Sequence, residues 1–376
     1  MYKIMTPGPT QVLENVRKAR SMECTNPDLD VTFCEFYKET CELISELLYT
    51  KNETLILGGE GILGLEAACA SMTEPGDRVL IIDNGIYGNG FKDFVSMYGG
   101  NPVLYTVDYL NEIDVTKLEE YLKENHDFKY ATVVHCDTPS GMLNNISKIC
   151  PLLKKYGIMT VVDSVSGMFG EEVRVDDDQI DILCGGSQKA VSAPPGLTFV
   201  VVSDDAKAAM KNRKTPIASF YANLMVFEGY YEKKWFPYTM PISDIYGLRV
   251  AFDNIKADKG MLERHARIGA ASREAVRQAG LKLHLESGFS NTVTVFDVPE
   301  GVSAEEILEG MKQKFGIMIA GSFGELEGKV IRIGHMGTNA TKENMQETFH
   351  ALQAVLTEAG VFLQADMEQI FLQEIL

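Results

Sequence analysis

Two neighbouring strand ends in this chain carry groups that could do chemistry together, a carboxylate and an amine. The run Thr160-Val161-Val162-Asp163-Ser164 is a β-branched strand that delivers Asp163 at its C-terminal edge, where open α/β sheets bind ligands. Twenty-six positions later (189 − 163), a second apolar strand, Asp181-Ile182-Leu183-Cys184, runs through Gly185-Gly186-Ser187-Gln188 to Lys189, with Ala193-Pro194-Pro195-Gly196 just beyond. An amine so placed can form an imine with an aldehyde. A carboxylate beside it can keep a pyridine nitrogen protonated, so that the ring takes up electrons when a substrate carbon loses its proton. Singly, such a lysine is most often a solvated residue and such an aspartate a cap. As a pair they fit pyridoxal 5'-phosphate.

Three further segments supply what that chemistry needs. Gly58-Gly59-Glu60-Gly61-Ile62-Leu63-Gly64 follows an apolar strand and opens a helix, where backbone N–H groups can hold a phosphate. Gly59, Gly61 and Gly64 also spell G-x-G-x-x-G, but a dinucleotide reading finds only Asp83 as its acidic residue and leaves Lys189 and Asp163 without a role. Tyr87, just past the strand at 79–82, is an aromatic ring that could stack on a planar group or pack in a core or interface. Arg332, at the end of the strand in Lys329-Val330-Ile331-Arg332-Ile333-Gly334, carries a fork suited to a substrate carboxylate.

The elements that must position these residues follow from periodicity. After a Pro/Gly-rich arm, helical stretches alternate with short apolar strands at 54–57, 78–82, 130–135, 159–163, 180–184 and 198–202. That rhythm predicts an α/β domain with a mainly parallel sheet. Beyond a boundary near residue 254, helix, strand (292–298), helix from Ala304, strand (330–333) and a final helix from Thr341 predict a smaller α+β domain. The expected division is an arm over 1–15, a large domain over 16–253 and a small domain over 254–376.

Composition removes several classes of function. A net charge of −18 without a basic run argues against nucleic acid and anionic membrane partners. No apolar run approaches the roughly 20 residues of a membrane helix. Seven cysteines without a Cys-x-x-Cys pair predict no metal site and a reduced, cytoplasmic setting.

Taken together, these segments resemble the class V, fold type I pyridoxal-phosphate aminotransferases, especially the alanine-glyoxylate and serine-pyruvate branch. The likeness runs from Pro7-Gly8-Pro9 to about Asn339, and Ser187-Gln188-Lys189-Ala190 followed by Ala193-Pro194-Pro195-Gly196 is its most specific part. It implies a large domain whose seven-stranded-type sheet is sandwiched by helices. It makes Lys189 the imine lysine and proton shuttle, Asp163 the pyridinium partner, Tyr87 the stacking ring, Val165 the packing beneath it and Gln188 a phosphate ligand. Gly59, Glu60, Gly61 and Ile62 would form the phosphate loop, and Pro7, Gly8 and Arg332 would face the substrate. His135-Cys136-Asp137-Thr138-Pro139-Ser140-Gly141 would bring the Thr138 hydroxyl to the cofactor's phenolic oxygen, with Cys136 as buried packing. The resemblance also implies a homodimer in which Thr239 reaches the phosphate held by the other subunit.

Two positions depart from that pattern. Glu60 stands where many relatives have a serine against the phosphate, and Phe236 where a tyrosine helps the same group, so two hydroxyl donors are missing. An ionised Glu60 beside a phosphate is repulsive, so its side chain is expected to point away while its backbone N–H binds.

The implied reaction is ping-pong transamination, with alanine or serine as donor and glyoxylate or pyruvate as acceptor. The alternatives are 2-aminoethylphosphonate-pyruvate and ureidoglycine-glyoxylate exchange. Cysteine desulfuration lacks a cysteine after Cys184, and a pyridoxal-phosphate-sensing regulator lacks room and basic charge for a DNA-binding module.

Overall fold

The computed structural model describes residues 2–375. Its centre is a seven-stranded sheet with the order Glu53–Gly58, Leu197–Val202, Ile182–Gly186, Met159–Asp163, Tyr130–Val134, Arg78–Asp83, Asn101–Thr106. All neighbours pair in parallel except Leu197–Val202, which runs antiparallel to both strands beside it. Six strands, those ending at Gly58, Asp83, Thr106, Val134, Asp163 and Gly186, therefore finish at the same edge. The central strands are buried along their whole length, as expected where helices cover both faces.

Six of these strands stand where the sequence expects them, although the one expected over 180–184 is shifted to Ile182–Gly186. Asp181 is instead used as a brace, accepting from the Thr160 N–H at 2.9 Å and from Lys154 at 2.8 Å. The seventh strand, Asn101–Thr106, forms the sheet's edge.

A second apolar cluster gathers Met5 with side chains between 268 and 375. It is built on the antiparallel pair Val293–Asp297 and Val330–Gly334 and on the helices Met261–Gln278, Ala304–Phe315 and Lys342–Glu358. The helix expected to be last is followed by another, Met367–Glu374, capped by Asp366 and packed against two of these helices. The helix Ile242–Ala257 runs through residue 254 without a break. The arm is not free: Lys3–Ile4 pairs in parallel with Ile317–Met318. Among the described residues no helix is long and apolar enough to cross a membrane, and no group of three or more His, Cys, Asp or Glu could hold a metal.

Candidate active site

At the shared strand edge lies a cavity lined by Glu60, Gly61, Ile62, Leu65, Tyr87, Cys136, Thr138, Asp163, Val165, Ser166, Gln188 and Lys189. All but Leu65 arrive near the end of a strand or the start of a helix. Glu60 follows the strand Glu53–Gly58 and caps the helix Gly61–Met72, while Tyr87 lies in the first turn of Ile86–Met97. The ends of Tyr130–Val134, Met159–Asp163 and Ile182–Gly186 then supply Thr138, Asp163 and Lys189.

Lys189 is held by the arm. Its Nζ donates to the Pro7 carbonyl at 2.7 Å, and Gly8, at φ +101°, lies directly against its side-chain carbons. The Thr10 N–H and hydroxyl donate to the carbonyls of Gln188 and Lys189, both at 3.0 Å. Burial, with Arg332 nearby, lowers the amine to about 8, so a neutral, reactive amine is accessible near neutral pH. Pro7 and Gly8, expected toward substrate, thus meet the lysine itself.

Asp163 is buried and its carboxyl is pushed up to about 7, chiefly by desolvation, against the Val165 N–H bonded to Oδ1 at 2.9 Å. A cationic N–H brought beside it would offset that cost and favour the carboxylate. Val165 packs against Gly61 and Gly186 on the cavity floor. Tyr87 is fixed by its own N–H, which donates to Asp137 Oδ1 at 3.0 Å; Asp137 also accepts from the Ser140 hydroxyl at 2.7 Å. Arg332 has its fork oriented by backbone carbonyls, Nε donating to Gly321 and Nη1 to Thr138 at 3.3 Å, and Phe323 lies 5.8 Å from the guanidinium.

Other expected residues lie differently. The Gly59 N–H donates to the Gly196 carbonyl at 2.8 Å, and Gly59 does not line the cavity. Thr239 also lies outside the cavity lining of its own chain, its hydroxyl donating to Asp28 at 3.1 Å. Phe236 is buried among Phe33, Tyr37 and Tyr230. Glu60 does not point away: Oε1 accepts from the Ile62 N–H at 3.0 Å and Oε2 from Gln188 Nε2 at 2.9 Å. The helix's own orphan N–H draws the carboxylate inward.

The sequence reading missed Leu65 and Ser166 as lining residues and Asp137 as the anchor of Tyr87. Asp137 had a signal in the turn Asp137-Thr138-Pro139-Ser140-Gly141, where an Asp commonly accepts from residues two or three further on.

A mainly parallel sheet with a lysine and an aspartate on adjacent strand ends defines a pyridoxal 5'-phosphate-dependent transferase of fold type I. Residues 6–347 match the family model described as Aminotransferase class-V, and the chain belongs to that family. It is similar to the pyridoxamine–pyruvate transaminase of Mesorhizobium japonicum (32% identical over 361 residues, 95% of this chain and 92% of that protein). It is also similar to the alanine–glyoxylate aminotransferase of Callithrix jacchus (30% over 371 residues, 94% and 87%). The solved ureidoglycine-glyoxylate aminotransferase of Bacillus subtilis superposes with a TM-score of 0.95 at 30% identity, covering 100% of this chain and 98% of that one. The chain is an aminotransferase, and the cofactor of its family is pyridoxal 5'-phosphate.

The two ends of the cavity fit that cofactor unequally. Asp163, Val165, Tyr87 and Lys189 suit a pyridine ring bearing an aldehyde or amine. The phosphate end does not fit: the helix N-terminus is already capped by a carboxylate, and Lys189 is the only Lys or Arg among the lining residues.

Proposed function

We propose that this chain exchanges an amino group between a small amino acid, alanine or serine, and a 2-oxo acid, glyoxylate or pyruvate. The observation that carries the reading is Arg332, a buried guanidinium fork beside Tyr87 and Lys189 and turned by two backbone carbonyls. A planar fork of this kind pairs bidentately with the α-carboxylate common to all four compounds. The residues of the site divide the work. Arg332 binds and orients the acid, and Tyr87 and Val165 line the cavity where a planar ring would be held. The Lys189 amine, aimed by the Pro7 carbonyl, takes and returns the proton at the substrate's α-carbon. Asp163 as a carboxylate would support a positive pyridine nitrogen on such a ring.

Glu60 favours a second reading. With a carboxylate at the phosphate end, the amine donor would be pyridoxamine and the acceptor pyruvate, the pair in the name of the Mesorhizobium relative. 2-Aminoethylphosphonate carries no α-carboxylate for the Arg332 fork, its single anionic group being a phosphonate two carbons from the amine.

The chain works as a cytoplasmic homodimer with shared sites in this proposal. Leu29, Val31, Phe220, Tyr221 and Trp235 are large apolar side chains left exposed on segments flanking Thr239, which supports a covering partner.

The test is steady-state kinetics with alanine and pyridoxal species. Arg332→Lys is expected to raise KM for the amino acid roughly 10- to 100-fold while sparing ring binding, and Lys189→Ala to abolish turnover. An unchanged KM in the arginine variant would remove Arg332 from the reading.

A further inference from the structure

The cavity's phosphate end presents acceptors. Glu60 uses one carboxylate oxygen on the Ile62 N–H and the other on Gln188 Nε2. A carboxylate only accepts, so it fixes the Gln188 amide with nitrogen toward Glu60 and oxygen away from it. Gln188 is only 7% exposed, and its Oε1 is buried without a hydrogen-bond partner while the residue lines the cavity. A buried orphan acceptor of this kind asks for a donor.

A phosphate dianion cannot answer. It offers acceptors and negative charge to a carboxylate and an amide oxygen, and the Ile62 N–H it would use is already taken. A hydroxymethyl group answers on each count, being neutral and able to donate its O–H to Gln188 Oε1 or Glu60 while leaving the helix cap in place. The helix Gly61–Met72 is thus satisfied by its own chain at the point where an anion would otherwise dock.

We propose that Glu60 and Gln188 form a selectivity site for an unphosphorylated pyridine vitamer, in which they receive the free 5'-hydroxymethyl of a ring held between Asp163 and Lys189. The proposal rests on the reading of that second pair as the ring site. Without a phosphate anchor the ring exchanges with solvent, as suits a substrate that is consumed and replaced.

The experiment is calorimetric titration of the purified protein with pyridoxine and with pyridoxine 5'-phosphate, which differ only in the phosphate and carry no aldehyde to react with Lys189. Pyridoxine is expected to bind at least about 10-fold more tightly than its phosphate. In Glu60→Gln, whose side-chain oxygen can still cap Ile62, the preference should shrink about 10-fold or reverse, with the melting temperature unchanged. A phosphate ester that binds as well as pyridoxine, or a preference indifferent to Glu60→Gln, overturns the selectivity site and leaves the ring site standing. Failure of both compounds to bind overturns the ring site, and the proposal with it.

Discussion

Asp163 shows how a single residue ties the chemistry to a measurable cost. Its ordinary value is 3.8, and burial pushes it to about 7 in the folded protein. Between those values the folded state holds a proton that the unfolded chain has released, so stability falls as pH rises through that window. Asp163→Asn removes the titration. The ligand-free variant should therefore melt higher than the parent at pH 8, by about 4 °C, while losing activity, and the two should converge below pH 4. Thermal melts across pH check this; a difference that widens on acidification contradicts it. The placement of Lys189 and Asp163 at the cavity was readable because one follows and the other ends a strand at the ligand edge. The orientation of Glu60 was not, since the order of residues does not say whether a bound anion or the side chain itself takes the Ile62 N–H.

At the scale of elements, the helix Gly61–Met72 lies close on the strands Leu197–Val202 and Ile182–Gly186, and Gly64 permits that approach. A Cβ there would run into the Thr198 hydroxyl, whose own bond to the Gly185 carbonyl at 2.6 Å keeps it in place. Gly64→Ala is expected to destabilise the protein by about 1–3 kcal/mol through overpacking, and to weaken ring binding because the helix start carries Glu60 and Ile62. Denaturant titration with an exposed helix variant, Ala208→Gly, separates that effect from general fragility. Elements with uniform apolar runs, such as Leu197–Val202, were readable from the sequence. The edge strand Asn101–Thr106 was not, because it is half exposed and its second residue is Pro102, a composition that reads as a turn. The helix Met367–Glu374 was missed for its length, since eight residues hold less than the periodicity needed to stand out and it is stabilised by tertiary packing.

For the whole molecule the arm is the connection that matters. Its first residues belong to the second apolar cluster: Lys3–Ile4 pairs with Ile317–Met318, Met5 is fully buried there, and the Gly334 N–H donates to the Met5 carbonyl at 2.8 Å. Five residues after Met5, Thr10 is bonded to the Gln188 and Lys189 backbone, and Pro7 between them holds the Lys189 amine. The packing of Met5 in one cluster thus sets the register of a carbonyl against the amine beside the other. Met5→Ala should cost about 2–5 kcal/mol as a core truncation. It should also raise the apparent pKa of Lys189, because a loosened arm admits water and burial is what lowers it. Phe371→Ala, in the same cluster but on the helix Met367–Glu374 and not on the arm or the strand paired with it, is the control: it should destabilise comparably and leave the amine's pKa unchanged. The pH dependence of Lys189 modification by an aldehyde, measured well below both melting temperatures, distinguishes the two. Equal shifts in both variants would mean that the amine responds to general loosening and that the arm carries no register of its own.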